Sequence, residues 1–262
     1  MPNPRNYQTE AIIIKKTRLG EADTILSLYT PGLGKIQGFA KSLRKPKSKM
    51  AGHLELLTHS QVSLVRGKGI DTLTGSQTIN AFLSMKNDLW LTSCGLYVAE
   101  LVNQFTADHQ EHRALFYLIL ETLERLCAEN NHDLVLRYFE LHLLEQVGYR
   151  PQLRECVTCH KALEPFTNYF SPATGGISCP ECSQNHSQVY PLSLNAQKVL
   201  RLLQDQNFSQ VARVKIDPPL ADELEKVIHG YLRYLLERDL KAAAWLDTLR
   251  EQRLMLNNPP LP

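Results

Sequence analysis

The stretch DTILSLYTPGLGKIQGFA, residues 23–40, sets the fold class. Residues 23–30 alternate apolar and polar side chains, stop at Pro31-Gly-Leu-Gly34, and the pattern resumes over 35–40. Alternation broken by a Pro/Gly turn is the signature of a β-hairpin. Upstream, residues 10–16 (EAIIIKK) form a short β-branched run. Downstream, QVSLVR (61–66) and DTLTGSQTI (71–79) form a second pair around Gly67-Lys-Gly69. Five short strands in the first eighty residues predict a small closed barrel of the OB type.

Beyond the barrel the period lengthens to that of a helix. Between 87 and 105 the apolar positions are Trp90, Cys94, Tyr97, Val98, Leu101 and Phe105, which share one helical face. Helices are also predicted over 113–129, 133–147, 193–207 and 221–238. The third is closed by Gly148 with Pro151 beyond. The expected architecture is α+β: an OB-fold β-barrel (1–80), then an α-helical domain (81–150 and 190–252). A four-cysteine zinc module (151–189) is inserted in it, and a disordered tail (253–262) ends the chain. No internal repeat is present.

The inserted segment carries Cys156, Cys159, Cys179 and Cys182, two C-x-x-C pairs separated by nineteen residues. A two-residue gap lets both sulfurs of a pair face one tetrahedral ion, and Pro172 with Gly175-Gly176 can bring the pairs together. One structural Zn2+ per chain is expected. Four thiolates leave no open coordination position, and the H-x-E triplet of zinc deaminases is missing. His160 and His186 are nearby nitrogens that could replace a thiolate. Cys94 and Cys127 fall on apolar helix faces and read as core.

Of the 262 residues, 43% are hydrophobic and 21% charged, as in ordinary globular chains. No apolar run approaches the ~20 residues that span a bilayer, so no membrane association is expected. The N-terminus has no secretory pattern. A cytoplasmic location, with reduced thiols that favour metal over disulfides, is the expectation. The net charge of +2 is unevenly spread: residues 1–70 hold twelve Lys/Arg against four Asp/Glu. From Thr24 to Leu54 there is no acid, and inside that window lie Lys35, Lys41, Arg44, Lys45, Lys47 and Lys49. A solvated loop is the bland reading of such a run. Its position after a barrel hairpin and its lack of acidic partners favour phosphate binding, hence DNA or RNA. Tyr29 and Phe39 could stack bases, with burial in the barrel as the alternative. Gly32-Leu-Gly34-Lys35 lacks P-loop spacing and no G-x-S-x-G occurs, so no enzyme is expected.

Residues 9–49 (TEAIIIKKTRLGEADTILSLYTPGLGKIQGFAKSLRKPKSK) and 143–163 (LLEQVGYRPQLRECVTCHKAL) resemble the OB domain and the helix-to-zinc junction of the RecO family of bacterial recombination and repair proteins. The likeness spans roughly residues 8–190. Ser42 stands where a Gly is expected and Gln77 where an acid is expected. The resemblance implies a mediator, located at the nucleoid when bound to DNA. It would bind single- and double-stranded DNA and anneal complementary strands without ATP. It would also work with RecR, and in some lineages RecF, to load RecA onto DNA coated with single-stranded-DNA-binding protein (SSB). Contact with the acidic C-terminal tail of SSB is implied as well. The alternatives are a zinc-ribbon RNA-binding or translation-associated protein, and a hydrolase or nucleotide-modifying enzyme.

Overall fold

The computed structural model describes residues 5–257, with side chains through residue 252. The chain forms two compact units. One is Asn131–Asp239; the other joins the chain before it to the residues from Leu240 onward.

The first unit begins with β1 (Asn6–Leu19), β2 (Asp23–Thr30), β3 (Gly34–Ala40), β4 (His59–Val65) and β5 (Asp71–Asn80). They close in the order β1-β2-β3-β5-β4, the OB-fold topology. β1 is long enough to serve two partners: residues 6–12 pair with β4 and residues 12–19 with β2. A register shift between Ile13 and Lys15 re-aims the strand there, the usual work of a bulge at a barrel corner. Alternation sends Ala11, Ile13, Leu26, Leu28, Ile36, Ala40, Val62, Leu64 and Leu73 into the core. Each large side chain so buried contributes about 1.5–3 kcal/mol. Gly38 is required by packing, since a Cβ there would lie 2.9 Å from Leu73 Cδ1.

Helices α1 (Leu83–Lys86), α2 (Leu89–Phe105) and α3 (Arg113–Ala128) follow within this unit. Asp88 caps α2 by accepting from the Leu91 N–H. Cys94, Tyr97, Val98 and Leu101, on the face read from the sequence, are fully buried, whereas Cys127 is only half-buried.

The second unit contains α4 (His132–Gln146), β6 (Asn168–Ser171), β7 (Gly176–Ser178), α5 (Pro180–Ser183), β8 (Tyr190–Leu192), α6 (Leu194–Asp205), α7 (Phe208–Val211) and α8 (Pro218–Leu236). α4 is its central helix, with an unbroken buried run from Leu134 to Leu141. That run includes Arg137 and Glu140, paired at 2.6 Å. The three short strands form a sheet in the order β7-β6-β8. They are joined to the helices by Phe170 against Tyr231 of α8. Gln197 of α6 adds hydrogen bonds to Asn168 and to the Leu192 carbonyl.

The chain then returns to the first unit as α9 (Lys241–Asn257). The Glu100 carboxylate of α2 accepts from the Lys241 and Ala242 N–H groups, capping α9 from a neighbouring helix. Trp245 Nε1 donates to Ser93, and Arg250 lies over the Trp90 ring. The single helical domain expected over 81–150 and 190–252 is therefore parted. α1–α3 and α9 belong with the barrel, and α4 and α6–α8 belong with the cysteine module. The tail expected from residue 253 is also revised, because α9 runs on to Asn257. Residues 258–262 of that expected tail lie outside the described residues.

Candidate metal centre and nucleic-acid interface

The cysteine module is a pair of chain reversals facing each other. At the first, the His160 N–H donates to the Cys156 carbonyl and the Cys156 N–H to the Lys161 carbonyl. His160 takes φ 59°, the left-handed value that lets so short a turn close. At the second, Pro180 opens α5 and the Ser183 N–H donates to the Cys179 carbonyl. Backbone bonds from Val157 to Ile177 and from Ile177 to Gln152 set the reversals side by side. Outside that ladder little apolar surface is covered: no side chain from 157 to 167 is buried.

The two turns bring the sulfurs of Cys156, Cys159, Cys179 and Cys182 within 4.8 Å of one another. All four are free thiols. Cys159 and Cys179 Sγ are 4.0 Å apart, close to the ~3.8 Å edge of a tetrahedron with 2.3 Å metal–sulfur bonds. The electrostatics also suit a cation. Burial tends to raise the Cys156 thiol. The N–H groups of Cys159, Cys179 and Thr158 outweigh that and hold it down at about 6. Cys182 is pushed up to about 12, first by its hydrogen bond with Cys179, then by burial and by Cys159 and Cys156. A first thiolate thus opposes the next, and a bound cation removes that opposition. The donor set fits a metal ion. Neither histidine joins it: His160 is exposed, and His186 Nε2 lies 3.1 Å from Ser178 Oγ and 3.2 Å from Thr158 Oγ1, bridging the two reversals from outside.

The basic run lies on the connection between β3 and β4, residues 41–58. It is a shaped loop. Leu43, Leu54 and Leu57 are buried. The Ser42 N–H donates to Asp23 Oδ1 at 2.6 Å, and the Arg44 N–H to the Ala22 carbonyl at 3.0 Å. The Arg44 guanidinium also donates to the Gly20 carbonyl, so the β1–β2 turn and the loop are stitched together. Ser42 has φ 53°, where glycine is favoured, which accounts for the glycine expected there. Lys41, Arg44, Lys45, Lys47 and Lys49 are exposed. Among the described residues none of the five has a carboxylate at ion-pair distance.

Lys35 does not belong with them. It is buried, and its ammonium donates to the Asn103 carbonyl at 2.8 Å and the Thr106 carbonyl at 2.5 Å. Asp108 is 3.5 Å away. Lys35 therefore closes the C-terminus of α2, where free carbonyls and the helix dipole favour a cation, and a nucleic acid cannot reach it. Of the two aromatics, Tyr29 is 1% exposed and burial pushes its hydroxyl up to about 12. Phe39 remains half-exposed on β3. Lys16 pairs with Glu55 at 2.9 Å. No helix among the described residues is long and apolar enough to cross a membrane.

Two family models match the chain: recombination protein O N terminal over residues 3–82, and recombination protein O C terminal over 86–244. Among curated relatives, the DNA repair protein RecO of Dehalococcoides mccartyi (strain CBDB1) is 50% identical over 250 residues, covering 95% of this chain and 98% of that protein. The protein of the same name from Roseiflexus sp. (strain RS-1) is 41% identical over 255 residues, 97% and 89% of the two chains. That of Symbiobacterium thermophilum is 32% identical over 251 residues, 94% and 99%.

Proposed function

Because the chain belongs to the RecO family of DNA repair proteins, we propose that it acts as a recombination mediator without catalytic chemistry of its own. It binds single- and double-stranded DNA and anneals complementary strands without ATP. With RecR it loads RecA onto SSB-coated single strands, touching the acidic SSB tail, in the cytoplasm at the nucleoid. The observation that carries the DNA-binding part is the loop of Lys41, Arg44, Lys45, Lys47 and Lys49, exposed and, among the described residues, with no carboxylate at ion-pair distance from any of the five. Cations without local partners release counterions when they meet phosphates, and that release drives binding. Annealing needs only that two polyanions be screened from each other, which a cationic surface achieves with no energy source. The ion held by the four cysteines is, on this reading, a structural Zn2+, its coordination closed by sulfur.

The test is strand annealing on bare and on SSB-coated oligonucleotides, with and without RecR and without nucleotide. Bare strands should anneal with the protein alone. Coated strands should anneal, and exchange SSB for RecA, faster with RecR present. No acceleration on bare strands would overturn the annealing assignment. Indifference to RecR would overturn the partner assignment.

A further inference from the structure

We propose that the cysteine module is an oxidation site for hydroperoxides, in which Cys159 meets the oxidant and Cys179 resolves it as a disulfide. The proposal rests on the metal reading above and adds a second way of holding the same two turns. The four sulfurs differ in access. Cys156 is fully buried, and its sulfur accepts from the Cys179 N–H at 3.4 Å. Cys159, Cys179 and Cys182 are half-buried. Cys159 is flanked by Thr158 and His160, both exposed. Cys179 follows the fully buried Ser178, and Cys182 lies between the exposed Glu181 and the buried Ser183. The approach from solvent is therefore widest at Cys159. Its sulfur stands 4.0 Å from that of Cys179, on the opposite reversal.

The chemistry balances with the hydroperoxide as sole oxidant. The Cys159 thiolate attacks its terminal oxygen, the O–O bond breaks, and the departing oxygen takes a proton from solvent. Cys159 is left as a sulfenic acid. The Cys179 thiolate then attacks that sulfur, the S–O bond breaks, hydroxide leaves as water, and the disulfide forms. Two electrons pass from the two sulfurs to the peroxide. The sulfurs close from 4.0 Å to a bond of ~2.05 Å. Cys156 and Cys182 are then two ligands short of the four that hold a structural ion, so the ion is released. The staple is replaced and not lost, because the new bond joins the same two reversals. The backbone bonds from Val157 to Ile177 and from Ile177 to Gln152 lie beside it and keep their register. Oxidation within either C-x-x-C pair would leave the reversals unjoined, in a segment where no side chain from 157 to 167 is buried. The site of the disulfide thus decides whether the module keeps its order under oxidant. In a reducing compartment such a bond is transient, a signal more than a strut.

The experiment titrates the zinc-loaded full chain with hydrogen peroxide, in a Cys127→Ser background that silences the half-buried thiol outside the module. Released zinc is read with a chromogenic chelator, disulfides by non-reducing peptide mapping, and order by hydrogen exchange. About one equivalent of peroxide should release the zinc, as the two-electron balance requires. The map should join Cys159 to Cys179 and leave Cys156 and Cys182 as thiols. Exchange at 152–157 and 176–178 should stay slow, against the rise expected in the reduced, chelated chain. Dithiothreitol with added zinc should restore the starting state. Cys179→Ser, which lacks the resolving thiol, should accumulate a sulfenic acid on Cys159 that dimedone traps. If that variant loses the fold of the module, the map of the Cys127→Ser chain decides. A disulfide within either C-x-x-C pair, or a mixture of pairings, would overturn the proposal. So would zinc retained against excess peroxide. If the untreated chain holds no zinc, the metal reading fails, and the peptide map still decides the oxidation site.

Discussion

Two long connections in this molecule are ordered by opposite means. The β3–β4 loop, 41–58, is held by the fold itself: Leu43, Leu54 and Leu57 are buried, and backbone bonds tie it to the β1–β2 turn and to Ile13. Arg44 adds one bond to the Gly20 carbonyl, and Lys41, Lys45, Lys47 and Lys49 are exposed with no carboxylate at ion-pair distance among the described residues. The cysteine segment, 156–182, is organised around its side chains. Its four thiols converge, and the stretch 157–167 buries nothing. In one loop the backbone is fixed so that side chains stay free for a ligand; in the other the side chains are consumed so that the backbone is fixed. On the proposed reading a cation would be structural in the second place, and an anion a guest in the first.

The contrast breaks most visibly if the metal is removed. Chelation, or Cys179→Ser, should cost several kcal/mol, a fraction of the ~10–16 kcal/mol with which four-ligand zinc sites bind in small peptides. Hydrogen exchange should rise across residues 156–186 and leave the barrel protected. The untreated protein should contain one zinc per chain by elemental analysis. Loss of protection spread evenly over both units would refute the division of labour. The converse treatment is Arg44, Lys45, Lys47 and Lys49 to Ala. With about four phosphates neutralised, log affinity for single strands should fall with log salt at a slope near −3, at about −0.7 per contact, and the variant should be nearly flat. Its stability should fall by no more than about 2 kcal/mol, most of it from the lost bond between Arg44 and the Gly20 carbonyl, since exposed lysines contribute little to folding.

Lys35 sharpens the comparison because it is a cation that works structurally. Lys35→Met should destabilise the first unit by about 1.5–3 kcal/mol in urea, the range for hydrogen bonds to a charged group, and leave the salt slope of DNA binding unchanged. The smallest effect is expected from Ser42→Gly. Relief of the left-handed strain, about 1–2 kcal/mol, is partly offset by the entropy of a glycine in the unfolded chain, about 0.5–1 kcal/mol. A gain of about 0.5 kcal/mol in the stability read from urea unfolding, with unaltered DNA affinity, is the outcome to look for.

The barrel was legible because strand alternation and the Pro31-Gly-Leu-Gly34 turn are local signals. Residues 23–30 were read to their observed bounds, and the other four strands to within a few residues. The polar start of β1 escaped notice because Asn6–Thr9 are strand only by virtue of β4 beside them. The cysteine spacing likewise carried its own geometry. Lys35 was misread because nothing near it in sequence reveals burial: its carbonyl partners are Asn103 and Thr106, some seventy residues on. The parting of the helices between two units was illegible for the same reason. An amphipathic pattern gives a helix an apolar face but does not name the element that covers it. The strands β6–β8, of three or four residues each, are too short to show a period.

The return of α9 to α2 has a consequence for how the protein is made. Residues 131–239, the whole second unit, are synthesised before the helix that completes the first. At roughly 5–20 residues per second, the ribosome takes on the order of ten seconds to cross that stretch. Throughout it the barrel can close, but the α2 surface that receives α9, with its Trp245 and buried Leu246 and Leu249, stays bare. The nascent chain is then exposed to chaperones and proteases at one defined place. Both tryptophans of the protein, Trp90 and Trp245, sit at that closing seam, so their fluorescence would time its completion.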